Sequence, residues 1–263
     1  MNQFFLYLLA VGVRRYGIRL HAFCVLSNHY HLVLSDPRAM LPAFLQFFDG
    51  LLARALNSVH RRAEAFWAPD SYSAVTLVSP ADVLAKAAYT LLNPVTAGLV
   101  RFGRLWPGLW SAPDSIGGEA IPVRRPDAFF GAPSSLPEEV SLRLTVPGGF
   151  KSAEEFRALL SAELERGEAE AGMRARPFLG AVRVLGQRVM DRPKSKRVSG
   201  GLKPRIASRD RWRRVEALGR LVGFLRSYAA ALADRREGKL GVVFPAGTYL
   251  LRVHHGVVCA GAG

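Results

Sequence analysis

Residues 18–35 constrain this chain more than any other stretch. "IRLHAFCV" alternates as a strand does, residues 26–28 form a short link, and "HYHLVLS" follows before Asp36-Pro37. Two strand-like runs joined this closely pair with each other as an antiparallel hairpin. Side chains alternate across a strand, so positions two apart share a face. His29 and His31 therefore point one way, with Tyr30, Leu32 and Leu34 pointing the other. Two imidazoles on one face are either ordinary packed residues or ligands that converge on something.

The flanking segments read as helices with a further strand between them. Residues 2–16 are apolar on most faces and predict a helix ending at Tyr16-Gly17. Leu41, Phe44, Leu45, Phe48, Leu51, Leu52 and Leu56 recur at helical spacing and predict an amphipathic helix over 39–62, basic at its end through His60, Arg61 and Arg62. "SYSAVTLV" at 71–78 predicts a strand. A second punctuated helix follows, with Ser79 as N-cap, Pro80 at its first position and Asp82 in its first turn. It should stop near Asn93, because Pro94 disfavours helical geometry in the residue before it.

The second half is less sharply marked. Residues 113–150 are rich in Pro, Gly and Ser and predict a connector. An acidic helix is expected over 151–172, a strongly basic stretch over 174–214 and a further helix over 208–236. "LGVVFPAGTYLLRVHHGVV" predicts a strand pair around Pro245-Ala246-Gly247, with His254 and His255 on opposite faces and unable to chelate one ion together. No internal repeat is evident.

Composition narrows the function classes. The 263 residues carry 36 Lys+Arg against 21 Asp+Glu, a net charge of +15, and an excess of that size points to an anionic partner, nucleic acid being the commonest. A chain rich in Ala, Gly and Arg also reflects biased genome composition, which weakens that inference. Cys24 and Cys259 stand far apart and outside metal-ligand spacing, so neither a disulfide framework nor a zinc knuckle is implied. "FFLYLLAVGV" is too short to span a bilayer, and Arg14-Arg15 follow the apolar run where a signal peptide would have them precede it. A cytoplasmic protein without membrane contact is expected.

Tyr89 and Asn93 lie four apart in the helix opened by Ser79 and so share a face. That helix can pack against the sheet bearing His29 and His31. Two imidazoles and an amide oxygen suit a divalent cation, whose open positions can hold a phosphate. A tyrosine beside it can attack that phosphate. The plain alternatives are a packed H-x-H pair, a core tyrosine and a helix-stop Asn-Pro dipeptide.

"HAFCVLSNHYHLVL", later "AAYTLLNPVTAGLV" and then "WPGLWSA" resemble the single-tyrosine HUH transposases, the nearest group being the REP-associated tyrosine transposases. The resemblance covers residues 2–112. It implies His29 and His31 as metal ligands, Tyr89 as nucleophile, Asn93 as auxiliary ligand, and Mg²⁺ or Mn²⁺ as cofactor. It further implies an α+β, ferredoxin-like or RRM-like sandwich. The family's first strand precedes the first helix, whereas Met1 here opens almost directly into it, so an open sheet edge with unpaired backbone groups is expected.

The activity so implied is cleavage and joining of single-stranded or hairpin DNA through a 5′-phosphotyrosine link, by a monomer or a homodimer. Arg101 and Arg104, and in the basic stretch Lys194, Lys196, Arg197, Lys203 and Arg205, are the candidate DNA contacts. Trp106 and Trp110 could stack on bases or pack in the core. The expected organisation is a catalytic domain over 1–112, the connector over 113–150 and a basic, mainly helical extension over 151–263. The rival readings are a transposase-derived DNA-binding protein without catalysis and a metal-dependent hydrolase. The hydrolase needs further ligands, and none of His21, His60, His254 and His255 is convincingly placed for that role.

Overall fold

Helix α1 (Asn2–Tyr16) ends where Gly17 takes a φ of +69°, a left-handed conformation open to glycine, and the chain turns directly into strand β1 (Arg19–Val25). The computed structural model describes residues 2–68, 73–127, 129–130, 135–173, 177–188 and 204–261. β1 pairs antiparallel with β2 (Tyr30–Ser35), Cys24 lying opposite His31 and Val25 opposite Tyr30. The expected hairpin is present, with the register shifting between Leu20 and Ala22. Helix and small sheets together make the chain α+β.

α2 (Leu41–His60) begins where the Asp36 carboxylate accepts the N–H groups of Met40 (2.9 Å) and Leu41 (2.7 Å), satisfying donors that a helix start leaves open. Its buried face of Phe44, Phe48, Leu52 and Leu56 meets α1. Gly12 permits that approach, since a Cβ there would lie 2.8 Å from the Phe44 ring. α1 is buried nearly all round because its other side is also covered. That cover is an antiparallel hairpin of β4 (Ile121–Arg124) and β5 (Glu139–Leu142), the strands of which lie within the expected connector. The described part of the 113–150 segment is therefore folded, and its buried Val123, Val140, Leu142 and Leu144 join the same core as α1 and α2.

α3 (Pro80–Thr96) has the expected capped start, with reciprocal bonds between Ser79 and Asp82. Asp82 also accepts the N–H of Arg209 at 2.9 Å. Burial pushes the Asp82 carboxyl up, but its bonds from Ser79, Ser208 and the Arg209 N–H outweigh this and hold it below the usual range. The end differs from expectation: the helix runs through Asn93 and Pro94 to Thr96. One proline in a last turn removes one hydrogen bond, while burial of Pro94 and Val95 holds the segment helical. The strand expected over 71–78 shrinks, in its described part, to β3 (Thr76–Leu77). It pairs in parallel with β6 (Ile206–Ala207), not with the histidine hairpin.

α4 (Ala153–Gly172) packs on α3, with Gly167 against Leu92 and with Phe156, Leu160 and Leu164 buried. One buried cluster runs from Phe5 to Val184 in the short helix α5 (Ala181–Leu185). α6 (Arg211–Arg236) follows, and a second small cluster joins Ala231 on it to Phe244 and Val257. The strand pair expected at the end is corrected: residues 250–255 form helix α7 (Leu250–His255), and only the Phe244–Cys259 bridge is β-like. A short apolar run does not by itself distinguish strand from helix. Here Arg252 donates to the Ala39 carbonyl at 3.1 Å, and no neighbouring strand extends the ladder among the described residues.

The expected open edge is also corrected. On the side of β1 away from β2, Val25 N–H donates to Leu109 O (2.9 Å), Ser111 N–H to Phe23 O (3.0 Å) and Thr145 N–H to Leu20 O (2.7 Å). The Ser111 hydroxyl accepts the Phe23 N–H at 2.9 Å. Segments that follow α3 and β5 thus satisfy the edge, as buried backbone groups require. No helix among the described residues is long and apolar enough to cross a membrane.

Candidate active site

The hairpin turn is closed by the Leu26 N–H donating to His29 O at 2.8 Å, which leaves only Ser27 and Asn28 in the loop. His29 stands just outside β2 and His31 just inside it. Their rings lie 5.0 Å apart and perpendicular. Asn28 Oδ1 lies 2.7 Å from His29 Nδ1; a donated Nδ1–H leaves Nε2 free as a ligand atom.

Tyr30 points to the other face, as strand alternation requires, and anchors the hairpin from behind. Its ring packs edge-on against Phe5, Phe48 and Trp67, and its hydroxyl donates to Asp49 Oδ1 at 2.6 Å. Trp67 Nε1–H donates to the Asp49 carbonyl at 3.0 Å. Burial raises the Asp49 carboxyl above its ordinary value, and the Tyr30 bond partly opposes that. Sequence reading missed Asp49, because an acid on an amphipathic helix carries no signal of a partner on a distant strand.

α3 lies against β1 and β2 and brings its own residues to the histidines. The Tyr89 ring stands 5.6 Å from the His31 ring, at 81°. Asn93 Nδ2 lies 2.9 Å from His31 Nε2. The amide orientation follows from the hydrogen-bond network, and a flip presents Oδ1 instead. Tyr89 remains 49% exposed. Lys86, one turn earlier, places Nζ 4.4 Å from the Tyr89 ring centroid; sequence reading missed this residue too.

The electrostatics favour neutral imidazoles. Burial, then the neighbouring His29 and then the Lys86 charge push His31 down to about 4. Burial lowers His29 as well. A metal ion requires the neutral ring, so both histidines are in ligand form at neutral pH. Among the described residues no group of three or more His, Cys, Asp or Glu is placed to hold a metal. The donor set here is two imidazole nitrogens and the Asn93 amide, which fits an ion that keeps open positions for water or phosphate oxygens.

Other candidates fall elsewhere. Arg101 lies over the rings of Phe102 (5.6 Å) and Phe178 (5.7 Å), and Arg104 over Phe102 (5.0 Å). Trp106 Nε1–H donates to Val25 O at 2.8 Å and Trp110 Nε1–H to Leu91 O at 2.9 Å. Both rings thus pack the hairpin against α3, the second of their two expected roles. Arg205 is exposed, its carbonyl accepting the Thr76 N–H. Lys194, Lys196, Arg197 and Lys203 lie outside the described residues. His21 is buried, with Nδ1 2.8 Å from Thr145 O and Nε2 2.8 Å from Ser35 Oγ, so both nitrogens are already used.

Comparison with models of known protein families, with curated proteins and with solved structures finds no match.

Proposed function

We propose that this chain is a single-tyrosine HUH-type DNA transposase, acting in the cytoplasm on single-stranded or hairpin DNA without membrane contact. The observation that carries this reading is the convergence of His29 and His31 from one hairpin with Tyr89 and Asn93 from one helix face. Four plain residues from segments distant in sequence meet at one accessible point. A ferredoxin-like or RRM-like ancestry accompanies the reading. The hairpin packed against α3 supports it, as does the cover over the free edge of β1.

In the proposed reaction the Tyr89 oxygen attacks a phosphodiester. The Tyr89 Oη–P bond forms as the P–O3′ bond breaks, giving a 5′-phosphotyrosine link and a free 3′-hydroxyl. The phenol proton passes to water and the leaving 3′-oxygen takes one from water, so the step is balanced. Joining is the reverse attack by another 3′-hydroxyl, which needs no external energy source. His29, His31 and Asn93 would hold Mg²⁺ or Mn²⁺, which supplies Lewis-acid polarisation of the phosphate. The hairpin and α3 contribute orientation, by holding the imidazoles neutral and the phenol at the rim of the site.

The test is cleavage of labelled single-stranded DNA from the sequence flanking the gene, including any hairpin, with Mg²⁺ or Mn²⁺. A covalent adduct on a denaturing gel that requires both the metal and Tyr89, and disappears with EDTA or Tyr89→Phe, is the expected result. Tight binding without an adduct would replace the proposal with a non-catalytic, transposase-derived DNA-binding protein.

A further inference from the structure

We propose that Lys86 is the phosphate-binding cation of this site, holding a non-bridging oxygen of the phosphodiester that faces Tyr89. The inference deepens the transposase reading and rests on it.

Lys86, Tyr89 and Asn93 are spaced i, i+3 and i+7 on α3 and form one stripe along the helix face turned to β2. Tyr89 and Asn93 both reach His31. Lys86 reaches the same place: its ammonium stands 4.4 Å from the Tyr89 ring centroid, and its charge is felt at His31. The side chain is half-buried. None of the ion pairs found among the described residues includes it. A ring face is a neutral partner, so the charge is left uncompensated.

The remaining site residues supply no acid. His29 and His31 are imidazoles, Asn93 is an amide and Tyr89 a phenol, none of them an acid that pairs with the Lys86 charge, so the site is net positive even before any metal is considered. A half-buried cation amid neutral groups is stabilised by an anion arriving from outside. Lysine suits a phosphate oxygen as a compact point charge on a flexible stem, without the two-pronged geometry that arginine imposes. A purely packing role for Lys86 would need only its aliphatic stem and would be served equally by an apolar side chain.

The test uses the full chain, with wild type compared against Lys86→Met, Lys86→Arg and Tyr89→Phe, and thermal unfolding to verify folding. Binding of a labelled single-stranded oligonucleotide in EDTA is measured across salt concentrations, and adduct formation with Mn²⁺ is timed at saturating DNA. Lys86→Met should flatten the slope of log K against log salt by about 0.7, the value for one single-strand phosphate contact. It should also slow adduct formation about 10- to 100-fold, comparable to or below the loss of one oxyanion donor, while Lys86→Arg restores the slope. Wild-type slope and rate in Lys86→Met, with the adduct still lost in Tyr89→Phe, overturn the role of Lys86 and leave the transposase reading standing. A flattened slope with no adduct from wild type keeps the phosphate contact and ends the cleavage reading. Failure of the wild type to bind single strands overturns both.

Discussion

Asn93 and His31 meet across 2.9 Å, amide nitrogen to imidazole Nε2, and this contact joins α3 to β2. Asn93 sits just before Pro94, a dipeptide that reads as a helix stop, yet the helix continues past it. If it stopped there, the amide would not be held by a helical turn on both sides. The same contact places the amide where it can serve as ligand or as cap to the histidine. Replacing it should therefore affect metal use before it affects stability.

Asn93→Ala is expected to raise the Mn²⁺ concentration needed for half-maximal adduct formation by about 10- to 100-fold, the usual effect of losing a metal-site partner. Its unfolding midpoint in urea should change little, because the contact is part-exposed. A metal titration of adduct yield, wild type against variant, decides it. An unchanged titration would remove Asn93 from the site.

Stability should fall with acid through the histidines. His31 is pushed down to about 4, from an ordinary value of about 6.5, by burial first, then by His29 and Lys86. His21 is lowered by burial, partly offset by its bond to Thr145, and His29 by burial. Between those values the unfolded chain binds more protons than the folded one, so unfolding free energy rises with pH across that window. The contribution is fully present above the unfolded value and is lost as pH falls through the folded one. Urea unfolding measured from pH 8 to pH 4 should show a plateau and then a decline, shallower in His31→Gln.

The anchor behind the hairpin is open to a double-mutant cycle. Tyr30→Phe removes the hydroxyl that donates to Asp49 across 2.6 Å and leaves a partly buried carboxylate short of a donor. A loss of about 1.5–3 kcal/mol is expected, the range for a hydrogen bond to a charged group. Adding Asp49→Asn should recover part of it, since the stranded charge is then gone. Denaturant titration of the four proteins gives the coupling.

Two glycine substitutions should have opposite signs. At Gly12 a Cβ would stand 2.8 Å from the ring of Phe44, which is fully buried and stacked on Phe48, so the ring cannot give way. Gly12→Ala should destabilise by about 1 kcal/mol net, because overpacking costs about 1–3 kcal/mol and the gain in helix propensity returns up to about 1. At Gly223 on α6 nothing lies within 4 Å of the added carbon. Gly223→Ala should stabilise by about 0.5–1 kcal/mol through propensity alone. Thermal unfolding of the two single variants suffices.

Much of the local structure was legible in the chain itself. The short link between "IRLHAFCV" and "HYHLVLS" determined the hairpin, apolar spacing determined α2, and Ser79, Pro80 and Asp82 determined the start of α3. These signals act within a few residues, where turn geometry and helix capping are set by neighbours in sequence. Strand alternation likewise separated Tyr30 from the two histidines, and helical spacing put Tyr89 and Asn93 on one face.

Tertiary structure alone decided the rest. It carried α3 through Pro94, because burial of Val95 outweighs one missing backbone bond. It laid the β4–β5 hairpin on α1 and closed the free edge of β1 with Leu109, Ser111 and Thr145. It made a helix of residues 250–255, paired Tyr30 with Asp49 and brought the Tyr89–Asn93 face of α3 to His31. Each of these depends on which apolar surface finds cover and which buried polar group finds a partner. Such pairings form between residues far apart in sequence, where local propensity has no say.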